Sequence, residues 1–426
     1  MTGPMESQNV SGLRRHLGTG SAIVVGLAAM IGAGVFYVWV PAAAAAGSGL
    51  LIGLLIAGII ASLNALSSAQ LAMSHPVSGG AYAFGRATLG ARWGFSAGWL
   101  FLAGKTASAG AIALILGGYV WPEQARPVAV VAILVLGAVN LAGIRSTARL
   151  SAVVVFLVLG GLTALVIVTG AGLVGGDLPA MVGPGGWLDS GWLGILQSAG
   201  LLFFAFAGYA RMATLGEEVR DPRRSLPRAI LIALGLALVI YGVVGWLCVV
   251  VLGPATLAAS TSPLADLVGG AEPWAGLARL LAALACLGSL AGILAGLSRT
   301  GLAMAREGDL PGALSRISAV RRSPVTAEVT MGLVAILGVL VLDPAQLVGF
   351  SACAVLGYYA IAHLAALRQP PEQRWLPRWV QVAGVAGCLL LALTLPWPGI
   401  IAAAAWLALG LLSRDLRLRR SRPAGP

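Results

Sequence analysis

The chain has 426 residues, of which 58% are hydrophobic and only 10% charged, and its mean hydropathy is +0.92. That composition excludes an ordinary soluble domain and sets the expectation of an all-α polytopic membrane protein. A formal net charge of +12 would suit a nucleic-acid partner only if the basic residues lined a soluble surface, and their placement along the chain points elsewhere.

The opening, Met1 to Leu13, is polar and leads into an apolar span with no small-residue cleavage site, so no removable signal peptide is expected. Hydropathy places twelve transmembrane helices at roughly 19–45, 50–73, 92–120, 127–144, 150–174, 192–217, 229–252, 275–297, 325–342, 345–366, 379–395 and 398–413. The first span is long enough to cross ~30 Å of hydrocarbon at ~1.5 Å per residue, yet Ile31 and Gly32-Ala33-Gly34 stand at its middle. Two glycines there lower helix propensity by roughly 1 kcal/mol each and admit backbone shapes closed to other residues. An unwound turn at that depth carries N–H and C=O groups that lipid does not satisfy, so they must face a cavity or a polar ligand. Such a broken helix turns the positive end of its outer half toward an anion and the carbonyl end of its inner half toward a cation. Together the two ends fit a zwitterion.

The second span ends near Met73, and His75-Pro76-Val77-Ser78-Gly79-Gly80-Ala81-Tyr82 reads as a tight loop entering the third helix. Lys105, the only lysine among 27 basic residues, lies on that helix, ~20 Å beyond Arg92 and near the bilayer centre. No carboxylate shares its depth, and an ionisable residue inside a membrane is a functional candidate by default. Lysine, unlike arginine, can release its proton inside a protein. Three roles fit: a proton-linked switch that holds a cation's place, a reader of the substrate side chain that repels basic substrates, or a structural lysine satisfied by carbonyls of unwound turns. Ser108, one turn on, is expected on the same side of the helix.

The fourth helix ends in Asn140, Gly143 and Arg145, and the fifth closes a group of five. The sixth span then repeats the anomaly of the first, with Phe203-Phe204-Ala205-Phe206-Ala207-Gly208-Tyr209 at its middle. Five helices separate the two, so they run in opposite directions. Paired interruptions in corresponding helices of oppositely oriented halves are the pattern of an inverted-repeat transporter with a midplane site. Arg211 is expected to snorkel or to meet Glu217 or Glu218. Tyr209 and Trp99 read as packing residues.

With these spans, every basic residue except Arg126, Arg211, Arg279 and Lys105 falls on one side, 23 of 27. That side is cytoplasmic by the positive-inside rule, with both termini inside. The positive charge is topological, and no nucleic-acid partner is expected. Cys248, Cys286, Cys353 and Cys388 all fall in apolar stretches as packing residues. His16, His75 and His363 are too scattered for a metal site or a relay of their own, and no nucleophile elbow, zinc spacing or Walker loop is present. The reading is therefore of a non-enzyme without cofactor or metal.

Four stretches, Ile31 to Phe36 (IGAGVF), His75 to Phe84 (HPVSGGAYAF), Phe203 to Ile230 and Gly288 to Pro311 (GSLAGILAGLSRTGLAMAREGDLP), closely resemble the amino acid-polyamine-organocation superfamily of permeases. The resemblance implies a leucine-transporter-type fold with a five-plus-five inverted repeat, broken helices one and six, and helices eleven and twelve appended. The corresponding division is a cytoplasmic tail over 1–17, a first repeat over 18–174, an inverted second over 175–367, a last helix pair over 368–413 and a basic tail over 414–426. It also implies alternating access, with the substrate carboxylate on backbone N–H groups of Gly32, Ala33 and Gly34, beside Ile31. The α-ammonium would lie on carbonyls of Met30, Phe204 and Ala207, flanked by Ala205 and Gly208, with Phe204 as an aromatic gate. Ser289 resembles the helix-eight hydroxyl of a sodium-type site, and Glu218, Pro222 and Pro227 match a cytoplasmic signature without a ligand role.

Two positions depart from the pattern. Where many relatives carry a helix-five lysine, this chain has Val158, and where many have a glutamate after the helix-six break, it has Ala210 followed by Arg211. The expected function is a cytoplasmic-membrane permease moving a neutral α-amino acid by proton symport or exchange, with the proton as coupling ion. The alternatives are an antiporter of basic amino acids or polyamines, and a nutrient sensor on the same fold.

Overall fold

The structure, a computed structural model, describes residues 18–74, 80–142, 148–173, 186–209, 222–318 and 324–420, and the described residues hold helices and turns without a strand. Arg211, Glu217, Glu218 and His75 lie outside the described residues. Nine described stretches are long and apolar enough to cross a membrane, and three shorter apolar helices, Thr19–Met30, Val325–Val341 and Arg378–Thr394, accompany them.

The first span is built from α1 (Thr19–Met30), α2 (Ala33–Tyr37) and α3 (Trp39–Ala46). Ile31 and Gly32 leave helical geometry altogether, with φ/ψ of −78°/76° and −125°/−148°. The seam between α2 and α3 at Val38 follows from Pro41, which has no N–H to offer the carbonyl of Tyr37. Helix α4 (Leu50–Ser74) follows, and then α5 (Gly80–Leu89), where the sequence suggested only a tight loop. Ala81, Tyr82, Phe84 and Gly85 are buried, and this buried face makes the segment a helix in its own right. Gly90, at φ +100°, turns the chain into α6 (Ala91–Val120).

Helix α6 is the axis of the protein. It packs against α2, α5, α7 (Ala125–Leu141), α13 (Trp274–Arg306), α14 (Val325–Val341), α15 (Pro344–Leu367) and α17 (Trp397–Arg420). Small residues permit this: side chains or backbone of neighbours crowd Gly104, Gly110 and Gly117 on three of its turns. Of the apolar windows of α6 and α15, 89% and 83% are buried, against 11% for α7 and α17, so the first pair forms the centre and the second faces outward. The remaining elements are α8 (Ala148–Leu173), α9 (Gly191–Phe206), α10 (Pro222–Leu247), the short α11 (Gly253–Ala259) and α12 (Pro263–Asp266), and α16 (Arg378–Thr394). Helix α13 runs nine residues past its expected end at 297, and α17 runs through 414–420, which the sequence reading had assigned to a tail.

That last turn of α17 has a docking partner. Asp309, 2% exposed, accepts from the Tyr82 hydroxyl at 2.9 Å, from Arg86 Nη1 at 3.0 Å and from Arg414 Nε at 2.8 Å. Arg417 donates to the Asp309 carbonyl at 2.6 Å, and Arg86 also meets Glu307 at 3.1 Å. Burial and the adjacent Asp309 carboxylate push the Tyr82 phenol up, which keeps it a neutral donor. On another face, Arg126 donates to the carbonyls of Val339 and Leu340 at the end of α14 and to Asp343 at the start of α15. The guanidinium thereby caps one helix and fixes its corner with the next.

Candidate functional site

The two interruptions meet. A methyl group placed on Gly34 would stand 2.7 Å from Ala205 Cα, and one on Gly208 would overlap the carbonyl of Ala29. The backbones of the first and sixth spans therefore touch at two points, which only residues without a side chain permit. Gly32 is pressed in the same way against Ser289 of α13, whose hydroxyl occupies the space a Cβ would need.

Around that contact the polar backbone is partly released. Ile31 N–H still reaches Leu27 O at 2.7 Å, and Gly32 N–H makes a tight turn to Met30 O at 2.8 Å. Helix α2 then starts at Ala33, so the N–H groups of Ala33 and Gly34 belong to a first helical turn, where no intrahelical acceptor precedes them. In the sixth span, α9 stops at Phe206, and Ala207 to Tyr209 tighten into a 3-10 turn. The Ala207 N–H caps the Phe204 carbonyl.

Lys105 enters from the middle of α6 and points its ammonium at the Ala207 carbonyl, 3.4 Å away. Met30 and Ile31 are each 2% exposed, Phe204 8% and Ala207 7%, so the centre of the site is closed. Lys105, Gly208, Ser289 and Ala29 keep partial access around it. Phe203 and Phe206, on either side of the expected gate Phe204, are held edge-on by Tyr359 and Tyr241.

Of the residues expected at the site, Met30, Ile31, Gly32, Ala33, Gly34, Phe204, Ala205, Ala207, Gly208, Lys105 and Ser289 are brought into one neighbourhood. Ser108 is not joined to Lys105: its hydroxyl pairs with Ser351 of α15 at 2.7 Å. Trp99 is a packing residue, as expected; it stacks between Phe95 and Trp406 and donates to the Trp406 carbonyl at 2.7 Å.

Tyr241 of α10 escaped the sequence reading. Its hydroxyl lies 2.7 Å from the Met30 carbonyl and 3.1 Å from that of Ala205, so one phenol spans both interruptions. The only sequence signal was a lone hydroxyl in an otherwise apolar run, and nothing in one chain says which carbonyls it meets. Tyr119 acts similarly at the end of α6, donating to the Phe36 carbonyl at 2.7 Å while accepting from Leu264 N–H at 3.2 Å.

An amino acid permease family model matches residues 17–407, most of the chain. The protein is a member of the amino acid permease family. A transporter of Mycobacterium tuberculosis (strain ATCC 25618 / H37Rv), named only as an uncharacterized transporter, is 45% identical over 421 residues, covering 98% of this chain and 94% of its own. The branched-chain amino acid permease BcaP of Bacillus subtilis (strain 168) is 29% identical over 448 residues, covering 96% and 94%. A vacuolar cationic amino acid transporter 4 of Arabidopsis thaliana is 29% identical over 366 residues, covering 79% and 60%. This permease is thus a multi-pass membrane transporter and not an enzyme, as its family and relatives are.

Proposed function

We propose that this permease is a secondary active transporter of a neutral α-amino acid in the cytoplasmic membrane, with twelve crossings, a five-plus-five inverted repeat and both termini inside. One observation carries the reading: the two mid-span interruptions touch, at Gly34 on Ala205 and at Gly208 on Ala29, and the one lysine reaches the carbonyl side of that contact. The N–H groups of Ala33 and Gly34 receive the substrate carboxylate, joined by that of Gly32 once it leaves the Met30 carbonyl. The carbonyls of Met30, Phe204 and Ala207 receive its ammonium, a division of labour set by the direction of the helix ends.

Lys105 holds the ammonium position in the empty site and gives it up when substrate arrives. A cation tied to one long contact at 3.4 Å is held loosely, which suits a group displaced in every cycle. A fixed positive charge beside the site disfavours basic substrates. Kinship with cationic amino acid transporters supports a second reading, antiport of basic amino acids, in which Lys105 must be neutral when substrate binds.

The test is uptake of a labelled amino-acid panel into proteoliposomes, once with an inside-alkaline gradient and once with preloaded unlabelled amino acid. Gradient-driven accumulation of neutral amino acids is expected. Uptake confined to preloaded vesicles assigns exchange, and uptake of arginine or lysine alone assigns the second reading. Binding without any flux assigns a sensor.

A further inference from the structure

One fully buried titratable side chain that the proposed mechanism leaves unused is His363. It sits on α15 with no exposed surface, and its Nε2 lies 2.6 Å from Asn64 Oδ1 of α4. The Cys388 thiol of α16 donates to the same oxygen from 3.1 Å. Two donors converging on Oδ1 place the imidazole proton on Nε2, since an acceptor there would leave the short contact without a hydrogen. Nδ1 then carries a free lone pair, and it has no partner; neither has Asn64 Nδ2.

The space is built for an imidazole. Gly384 of α16 lies flat against the ring, and any Cβ at that position would overlap three of its atoms. The hydroxyl of Tyr209 closes the cluster, within reach of Asn64 and Tyr359. Buried polar atoms without partners are costly in a native interior, and each calls for an explanation.

Tyr209 links this cluster to transport. It is the last residue of the 3-10 turn from Ala207 to Tyr209, whose first carbonyl holds Lys105. One three-residue turn therefore has Lys105 at its first residue and, through Asn64, His363 beyond its last. We propose that His363 takes up a proton at Nδ1 and releases it as the 207–209 turn moves, with Asn64 holding the Nε2 proton and Tyr209 reporting the position of the turn. The proton comes from and returns to water, and the imidazolium keeps its Nε2 bond to Asn64.

The groups around His363 leave this charge unopposed. Helix α4 offers Asn64, α16 offers Cys388, and α15 itself carries Tyr359. Arg86 of α5 and Arg414 of α17 are engaged by Asp309, and Lys105 of α6 by Ala207. The inference rests on the transport reading above. The spacing of the histidines concealed it, because the partners are an asparagine and a tyrosine.

The experiment compares wild type with His363→Gln in proteoliposomes, using labelled L-leucine, L-alanine and L-arginine. A one-unit inside-alkaline gradient drives about tenfold accumulation for each coupled proton. The glutamine amide keeps a donor for Asn64 but cannot titrate, so H363Q is expected to exchange within about twofold of wild type while losing accumulation. Wild-type accumulation with an unchanged pH profile in H363Q overturns the proposal. So does a wild type that exchanges but never accumulates.

Where H363Q fails to yield folded protein, Asn64→Asp decides: a carboxylate beside Nε2 should raise the pH midpoint of accumulation by about one unit or more, and an unmoved midpoint overturns the assignment. A wild type that neither accumulates nor exchanges any of the three amino acids overturns the transport reading and this inference with it.

Discussion

The two interruptions do different work with similar residues. In the first span the chain leaves the helix for two residues and starts a new one, whereas in the sixth it only tightens its hydrogen-bonding from Ala207 to Tyr209. At Gly32 the chain leaves the helix, which frees the N–H groups of Ala33 and Gly34, while Gly34 itself admits Ala205. Gly208 opens nothing; its lack of a side chain lets Ala29 approach. Released donors thus lie on the first span's side of the contact while carbonyls face it from both, with Tyr241 on Met30 and Ala205 and Lys105 on Ala207.

Substitutions separate these roles. Gly208→Ala should be the most damaging, because the added methyl meets backbone atoms only; overpacking costs about 1–3 kcal/mol or more, and loss of both folded yield and uptake is expected. Near-normal uptake in G208A would show that the two spans are not in contact there. Gly34→Ala forces Ala205 to shift, so binding of the transported amino acid should weaken by roughly two orders of magnitude, about 3 kcal/mol, in a protein that still purifies as a single species. Isothermal titration reads this directly, and retained affinity would move the carboxylate site elsewhere.

Lys105→Ala tests the carbonyl side. It should remove the pH dependence of uptake or admit basic amino acids, and Lys105→Arg should not restore the wild-type profile, since a guanidinium does not release its proton. Gly32→Ala is milder, because its methyl meets the movable hydroxyl of Ser289; adding Ser289→Ala should recover most of the lost uptake. Tyr241→Phe should be smallest, about 1 kcal/mol in apparent substrate affinity for one hydrogen bond shared between two carbonyls. An effect larger than that of Gly34→Ala would make the phenol, and not the glycines, the main organiser of the site.

Much of this is legible in the sequence. Apolar runs marked the long helices because lipid demands apolar length, and the glycine-rich interruptions stood out because glycine pairs are costly inside a helix. The lone lysine stood out against arginines. What escaped depended on side chains converging from distant segments. Tyr241 with Met30, Ser108 with Ser351 and His363 with Asn64 are pairs separated by 211, 243 and 299 residues. Helix α5 was hidden because the proline and paired glycines before it read as a loop, while its helical character comes from burying Tyr82 and Phe84.

Asp309 bears on how the chain can be handled in the laboratory. Its carboxylate is satisfied partly by Arg414, and its carbonyl by Arg417, both from the last turns of α17. Trimming the C-terminus back to Ser413, a natural choice when the end is taken for a dispensable basic tail, would leave the buried carboxylate to Arg86 and Tyr82 alone, a loss on the order of 1–3 kcal/mol. Reporter fusions belong beyond Arg420, and a shortened chain that expresses poorly would reflect a broken anchor inside the protein and not a missing signal at its end.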